Sequence, residues 1–411
     1  MMKWTLQKTL YRTAHAVTKP LLNLVKVPVP ELLSGPGSVA QLPELISNNG
    51  LQHVLLVTDA GITSLGLANG LLQALEKAGI SCTVFDGVKP NPTIENIESG
   101  VQVYQSNRCD GIIAFGGGSP MDCAKMIGAR VSNPGKSVMK MRGAFKISKS
   151  LPPLFAVPTT AGTGSECTIA AVVSDPQAQE KFAVTSLKIV PPYAVLDPEL
   201  MLGLPPHITA STGMDALTHA IEAYIGGFGT SFTDDYAEKA VKIILEDLET
   251  VYLDGSDLER RNNLAQASYF AGLAFTRALI GYVHAIAHNL GGMYGVPHGL
   301  ANAIVLPHIL DFSRADCEHK LARLAVIGGL GDTSEPTADL SMRFIEKIRD
   351  MNRNMDIPTT VAPLLEKDIS QLAQRALKEG NPDYPVPTLM NQQQCEVLLR
   401  KLLPSVENTA G

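Results

Sequence analysis

The 411-residue chain has no cysteine framework, no long apolar run and no excess of basic charge, and each absence removes a class of protein. Its six cysteines (Cys82, Cys109, Cys123, Cys167, Cys317 and Cys395) are scattered with no CxxC pair. That is the usage of reduced cytoplasmic thiols, not of a disulfide-stapled secreted domain. No apolar stretch reaches the ~18 residues a membrane span needs. Lys and Arg number 34 against 40 Asp and Glu, a formal net charge of −6. A nucleic-acid binder would carry a basic stripe, so that reading is set aside. Internal repeats, low-complexity tracts and a literal G-x-G-x-x-G fingerprint are missing as well.

What is present is 45% hydrophobic and 18% charged residues with 35 glycines, many of them clustered. The length suits two or three folding units with real cores. Residues 1–30 stand apart, with Lys3, Lys8, Arg12, Lys19 and Lys26 and no acidic residue. Leu6, Leu10, Ala14, Val17 and Leu21 share one helical face until Pro20 interrupts, which predicts a short basic amphipathic extension packed on the domain or lying near a membrane surface. The uninterrupted apolar region and cleavage site of a signal peptide are lacking; a transit peptide stays open as an alternative, with Arg12 as its single arginine.

From about residue 35 short β-branched runs alternate with helical stretches. Strands are expected at 53–59, 82–85, 111–115, 154–157 and 194–196, with helices at 65–78, 94–106 and 121–129. Such alternation implies βαβ units and a parallel sheet. After Leu204-Pro-Pro206 the text turns helical, with helices expected at 211–224, 233–251, 257–279, 282–294, 317–328, 337–352, 366–379 and 391–402. The chain therefore divides into a basic extension (1–30), an α/β domain (31–203) and an all-helical domain (204–411).

In the α/β part, Gly116-Gly-Gly-Ser119 lies between a strand and a helix. A strand, glycine turn and helix let backbone approach a pyrophosphate and aim free N–H groups and the helix dipole at it. Asp59 ends its strand at the same sheet edge, placed either to meet a ribose or to cap a helix. A third loop, Pro158-Thr-Thr-Ala-Gly-Thr-Gly-Ser-Glu166, leaves that edge after strand 154–157. Three ligand-type loops at one edge fit a nucleotide better than three unrelated turns.

In the helical part, five of nine histidines (His219, His284, His288, His298 and His308) fall within 90 residues. Asp215 and His219 are spaced i, i+4 and share one helix face, as do His284 and His288. Asp and His without thiolate suit a divalent ion such as Fe²⁺, Zn²⁺, Mn²⁺ or Ni²⁺.

Taken together, Gly116-Gly-Gly-Ser119, the 158–166 loop, Asp197-Pro-Glu-Leu200, Gly213-Met-Asp-Ala-Leu-Thr-His219-Ala-Ile-Glu222, His284-Ala-Ile-Ala-His288 and Gly295-Val-Pro-His-Gly299 resemble the iron-containing, or group III, alcohol dehydrogenases, from about residue 28 to about 390. The resemblance implies an N-terminal α/β dinucleotide domain followed by an all-α domain, the dehydroquinate synthase-like fold, with the cofactor and a divalent metal meeting in the cleft. It implies Asp215, His219, His284 and His298 as metal ligands, with Fe²⁺ foremost and Zn²⁺ the alternative, and His288 as a nearby proton relay. It assigns Gly117, Gly118 and Ser119 to the pyrophosphate, Thr159, Thr160, Thr163 and Ser165 to the nucleotide, Lys181 to the ribose, and Asp59 to the choice of NAD over NADP. The implied reaction is hydride transfer between a small primary alcohol and its aldehyde, in a homodimer or larger homo-oligomer. A divalent ion acidifies the alcohol, and the nicotinamide carries the redox step.

Within the larger superfamily the competing reading is a polyol (glycerol-type) dehydrogenase or a dehydroquinate-synthase-like lyase. An Fe(II) oxygenase or metallohydrolase built on two His and one Asp leaves the nucleotide loops without a purpose. A binding protein that has lost turnover should have lost a ligand, and all four are present. A nucleophilic role for Cys167 would need a different architecture.

Overall fold

Val54-Leu-Leu-Val57 and Ile112-Ile-Ala-Phe115 are apolar at every position, the pattern of strands covered on both faces. The computed structural model describes residues 2–176 and 180–404 and places both as neighbouring inner strands of one sheet. Residues 1, 177–179 and 405–411, which include the outermost residues of the two terminal divisions drawn from sequence, lie outside the described residues.

The strands are β1 (Glu31–Ser34), β2 (His53–Val57), β3 (Ser81–Phe85), β4 (Gly111–Gly116), β5 (Gly143–Ala144), β6 (Leu154–Pro158), β7 (Ala170–Asp175), β8 (Glu180–Thr185) and β9 (Tyr193–Leu196). Six of them form a wholly parallel sheet in the order β1-β9-β6-β4-β2-β3. β5, β8 and β7 make a smaller sheet whose β7 and β8 are antiparallel. The first helices are α1 (Met2–Asn23), α2 (Leu42–Asn48), α3 (Ala60–Ser64), α4 (Asn69–Lys77), α5 (Ile94–Ser106), α6 (Gly118–Ser132) and α7 (Val138–Met141). Then come α8 (Pro206–Ile225), α9 (Ser231–Leu253), α10 (Leu258–Ala278) and α11 (Tyr282–Tyr294). The last are α12 (His298–Ile327), α13 (Thr337–Asn354), α14 (Ile369–Gly380) and α15 (Gln392–Arg400).

Residues alternate across the parallel sheet into two cores. Leu55, Val57, Ile112 and Ala114 join Ile97 and Val101 of α5 and Ala124 and Ile127 of α6. Val54, Leu56, Ile113 and Phe115 join Ile46 of α2 and Leu71 and Leu75 of α4. Each fully buried side chain of this kind contributes roughly 1.5–3 kcal/mol, so the two cores fix the register that the site depends on. The sheet is wound outward in both directions from β2 and β4. Their C-terminal ends form the topological switch point, where open α/β sheets take ligands.

The described residues divide into two compact units. One contains the described residues of 27–205 and 254–276; the other contains those of 2–26, 206–253 and 277–404. The division therefore interleaves where the sequence suggested a single boundary at 203/204. Nearly all of α10 goes with the sheet: a Cβ on Gly272 would lie 3.1 Å from the Gly164 Cα, and Ile169 N donates to Thr276 Oγ1 at 3.0 Å. In the helical unit α8 packs on α9 and α12, α11 on α12 and α14, and α12 on α13. No single helix among the described residues is long and apolar enough to cross a membrane.

Several elements differ from the sequence expectation. The helix expected at 65–78 begins only at Asn69 as α4, because Gly66 in the left-handed region (φ 66°) parts it from α3, a short helix the sequence did not suggest. β1 has only four residues and is mostly exposed, so it shows no apolar run. The β7–β8 pair was also missed. α12 begins at His298, far ahead of the expected 317, and bends at Cys317. Pro307 hides it in the sequence because proline cannot donate to the carbonyl four residues back. Asn352 Nδ2 supplies that missing donor to Ala303 O at 2.7 Å. α1 forms and runs through Pro20, but the face carrying Leu6, Leu10, Val17 and Leu21 is exposed. Its packed side carries His15 instead.

Candidate functional site

At the switch point, Gly116 and Pro158 are the last paired residues of β4 and β6, so the 117–119 turn and the 159–163 loop leave the sheet side by side. Glycine is required there. A Cβ on Gly118 would stand 2.8 Å from Thr163 Cγ2, and one on Gly117 3.3 Å from Thr160 Oγ1. Gly117 is the N-cap of α6 and provides no side-chain cap, which leaves the first-turn N–H groups for an anion. Thr159 is buried and its N–H donates to Gly116 O at 3.1 Å.

Asp59 follows β2 at the same edge. Its carboxylate accepts from Ile62 N at 3.1 Å and so caps α3, the second of the two roles open to it in the sequence. Lys181, on β8, donates to Asn91 Oδ1 at 2.7 Å, and Asn91 N donates to Ser119 Oγ at 3.1 Å. Burial lowers the Lys181 pKa. Asn91 holds a positive φ of 58° and joins two of the expected cofactor residues, though no sequence pattern had singled it out.

Ser165 is placed differently from Thr160 and Thr163. Its hydroxyl is buried, donating to Asp122 Oδ1 at 2.8 Å and accepting from Lys125 Nζ at 2.9 Å. Lys125 is fully buried and also donates to Thr168 Oγ1 (3.0 Å), Thr168 O (3.1 Å) and Ala170 O (2.9 Å). Burial brings its pKa down to about 8 against the pull of Asp122. This buried pair ties α6 to the underside of the 159–168 loop. Cys167 is buried too, with Sγ directed at the carbonyls of Gly164 and Tyr269.

In the helical unit, Asp215, His219, His284 and His298 each offer one ligand atom, and the four atoms lie within 4.8 Å of one another. α8 presents Asp215, His219 and Glu222 at i, i+4 and i+7 on one face. α11 contributes His284, and the first turn of α12 contributes His298. Gly299 makes this approach possible, because a Cβ there would stand 2.2 Å from Ser211 O on α8. Asp215 Oδ1 is 3.8 Å from His284 Nε2 and 3.4 Å from His298 Nε2. The His219 and His284 rings stack at 4.4 Å.

Glu222 fixes the orientation of His284. It accepts from Gly281 N and Val283 N at 2.8 Å each and from His284 Nδ1 at 2.6 Å. The proton on Nδ1 leaves the lone pair on Nε2, facing Asp215. Burial and the neighbouring imidazoles hold the His284 pKa well below its ordinary value, so the ring is neutral. Burial raises Glu222 to about 7 against its N–H donors, and raises Asp215 against His219 and Asn302. The Asn302 amide nitrogen lies 2.6 Å from Asp215 Oδ1, 3.1 Å from His284 Nε2 and 3.2 Å from His298 Nε2. A neutral N–H donor drawn toward three acceptor atoms marks a centre rich in lone pairs, the setting a cation needs. Three imidazoles and one carboxyl group, with no thiol, fit a borderline divalent ion.

His288 stacks on His298 at 5.1 Å, and its Nδ1 bonds Glu379 Oε1 at 2.6 Å. Glu379 is held in turn by Asn289 Nδ2 (3.1 Å) and Tyr384 Oη (3.0 Å). His308, the fifth histidine of the sequence cluster, is not one of the four that converge. Glu222, Asn302 and Glu379 carried no role in the sequence reading. The one available signal was Glu222 at i+7 from Asp215.

A doubly wound sheet with a glycine turn at its switch point, and a helical cluster of three histidines and one aspartate, define the class of dinucleotide- and metal-using oxidoreductases. Family models agree: iron-containing alcohol dehydrogenase matches residues 29–198, and the C-terminal region of the Fe-containing alcohol dehydrogenase family matches 209–403. The chain belongs to the iron-containing alcohol dehydrogenase family. It is 38% identical to 1,3-propanediol dehydrogenase of Klebsiella pneumoniae over 89% of this chain and 95% of that protein. It is 36% identical to the NAD-dependent methanol dehydrogenase of Bacillus methanolicus, over 85% and 92% respectively. A crystal structure of 1,3-propanediol oxidoreductase superposes with a TM-score of 0.89 at 37% identity, covering 92% of this chain and all of the other.

Proposed function

We propose that this enzyme interconverts a small primary alcohol and its aldehyde by hydride transfer to and from NAD at a divalent metal, Fe²⁺ foremost and Zn²⁺ the alternative. The observation that carries the reading is the set of four convergent ligand atoms on Asp215, His219, His284 and His298, with His284 aimed by Glu222. When bound, the ion supplies Lewis-acid character, acidifying a hydroxyl in one direction and polarising a carbonyl in the other.

The chain's own groups do the rest. Glu222 keeps His284 in the tautomer that presents Nε2. His288, held through Nδ1 by Glu379, takes the hydroxyl proton during oxidation and returns it during reduction. The N–H groups of Gly117 and Gly118 and the hydroxyl of Ser119 bind the pyrophosphate, and Thr159, Thr160 and Thr163 lie along the nucleotide. Ser165 serves from behind that loop through Asp122 and Lys125. Lys181, bridged by Asn91, approaches the ribose, and Asp59 repels a 2′-phosphate, which favours NAD over NADP. The relatives named as propanediol and NAD-dependent methanol dehydrogenases support short alcohols and NAD. Six cysteines scattered with no CxxC pair support a cytoplasmic setting.

The test is an NADH-oxidation screen with short aldehydes after anaerobic loading with Fe²⁺ or Zn²⁺. Turnover with at least one such aldehyde is expected. Silence with both metals across the series transfers the assignment to a polyol substrate or to lyase chemistry.

A further inference from the structure

α1 lies ahead of residue 29, the first residue matched by the family models, yet it contacts the part of the helical unit that supports the metal-site histidines. The contact is made to Asn381-Pro-Asp-Tyr-Pro-Val-Pro-Thr388, a segment with three prolines and therefore few N–H groups to pair its own carbonyls. α1 supplies donors instead. Arg12 Nη1 donates to Val386 O at 2.8 Å, and Nη2 to Pro387 O. His15 Nε2 bonds Pro382 O, and its buried ring packs edge-on against Phe228 at 5.6 Å.

On its other side the same segment meets the start of α11. A Cβ on Gly281 would lie 3.5 Å from Val386 Cγ1 and 2.7 Å from Glu222 Oε1. Pro385 O accepts from Gly227 N at 2.6 Å, just beyond the end of α8. Tyr282, two residues before His284, joins in by donating to Asn381 Oδ1 at 2.8 Å. Val386 and Gly281 thus connect Arg12 to the carboxylate that aims His284.

We propose that Arg12 is a positioning residue for the metal centre: by holding the carbonyls of Val386 and Pro387 it keeps this segment against Gly281, and so keeps Glu222 in place behind His284. The proposal rests on reading Asp215, His219, His284 and His298 as a metal site. A guanidinium fork that grips two successive carbonyls suits this work because it restricts rotation as well as distance.

The experiment measures Co²⁺ affinity by chelator competition, and the visible absorption of the Co²⁺-loaded full-length protein, in wild type, Arg12→Met, Arg12→Lys and Leu10→Ser. Arg12→Met is expected to bind Co²⁺ about tenfold more weakly, the lower end for losing support behind a ligand, and to shift the absorption envelope. Its KM for NADH should not move while kcat falls. Arg12→Lys, which keeps the charge and loses the fork, should be intermediate. Leu10→Ser, on the exposed face of α1, should match wild type. Wild-type Co²⁺ affinity and spectrum in Arg12→Met overturn the proposal, as does an equal loss of thermal stability with and without metal. If Arg12→Met does not fold, Arg12→Lys decides: weaker Co²⁺ binding supports the proposal, and unchanged binding overturns it. Failure of the wild-type protein to bind Co²⁺ ends the metal reading itself, which distinguishes that failure from failure of the Arg12 proposal alone.

Discussion

The glycine-lined sheet edge and the four-ligand helical centre are built on opposite plans. The sheet edge offers backbone N–H donors and small hydroxyls, with no side chain at Gly117 and Gly118 to crowd Thr160 and Thr163. In the helical centre the working atoms are side-chain lone pairs, fixed by a second layer in which Glu222 and Asn302 have no other evident task. A site of the first kind fails sterically when an atom is added. A site of the second kind fails electronically when an atom is exchanged.

The two plans make separable predictions. The largest effect belongs to the ligands. His284→Ala or Asp215→Asn should lower kcat/KM on the order of 10³-fold or more, since a Lewis acid supplies several kcal/mol and each 1.36 kcal/mol is tenfold. NADH binding, followed by its fluorescence, should be unaffected; a parallel loss of NADH affinity would erase the distinction. Next comes Glu222→Gln, which should cost roughly 10- to 100-fold in metal affinity or activity, measured by titration with Zn²⁺. Gly118→Ala should do the reverse. Its Cβ, 2.8 Å from Thr163 Cγ2, should raise the KM for NADH about tenfold by overpacking and leave metal affinity intact. Thr163→Ser in the same chain should restore part of the loss by removing the clashing methyl.

Smaller effects sharpen the sheet side further. Asp59→Gly should raise the ratio of NADP⁺ to NAD⁺ use several-fold by removing a charge from the 2′-phosphate position, and an unchanged ratio in steady-state kinetics would leave Asp59 only its cap. Glu166 offers a pH signature. Burial raises its folded pKa from 4.5 to about 7, so the folded chain binds more protons than the unfolded chain between those values. Its contribution to stability is therefore fully present below about 4.5 and is lost as pH rises through about 7. In Glu166→Gln, melting temperature plotted against pH should be flatter across that window than in wild type.

The sequence carried the two plans unequally. Of the four converging residues, i, i+4 spacing singled out Asp215 with His219 and His284 with His288, a geometric statement that needs no tertiary information, and the family motif put His298 in place of His288. Their supports were not. Glu222 lies 62 residues from His284, Asn302 is 87 from Asp215, and Glu379 is 91 from His288, so no local pattern could join them. On the sheet side the glycine turn was readable from its place between strand and helix. Asn91 and Lys125 were not, because each acts through partners on other elements: Asn91 on Ser119 and Lys181, and Lys125 on the 165–170 stretch.

The fold shows the same limit. Strong apolar runs gave β2 and β4 and most helices, while α12 was hidden by a proline whose missing donor is replaced from α13. The amphipathic pattern in α1 was real but misleading about contact. Its leucines stay exposed and its polar Arg12 and His15 make the attachment, because the surface they meet is a row of carbonyls rather than an apolar groove.

The central claim is that chemistry depends on one divalent ion held by Asp215, His219, His284 and His298. Its most direct test strips the purified protein with a chelator and titrates Fe²⁺ or Zn²⁺ back anaerobically while following NADH oxidation by a short aldehyde. The account predicts no turnover in the stripped protein and recovery that saturates at one ion per chain, with no recovery in His284→Ala. Full turnover in the stripped protein, or recovery in His284→Ala equal to wild type, would contradict it.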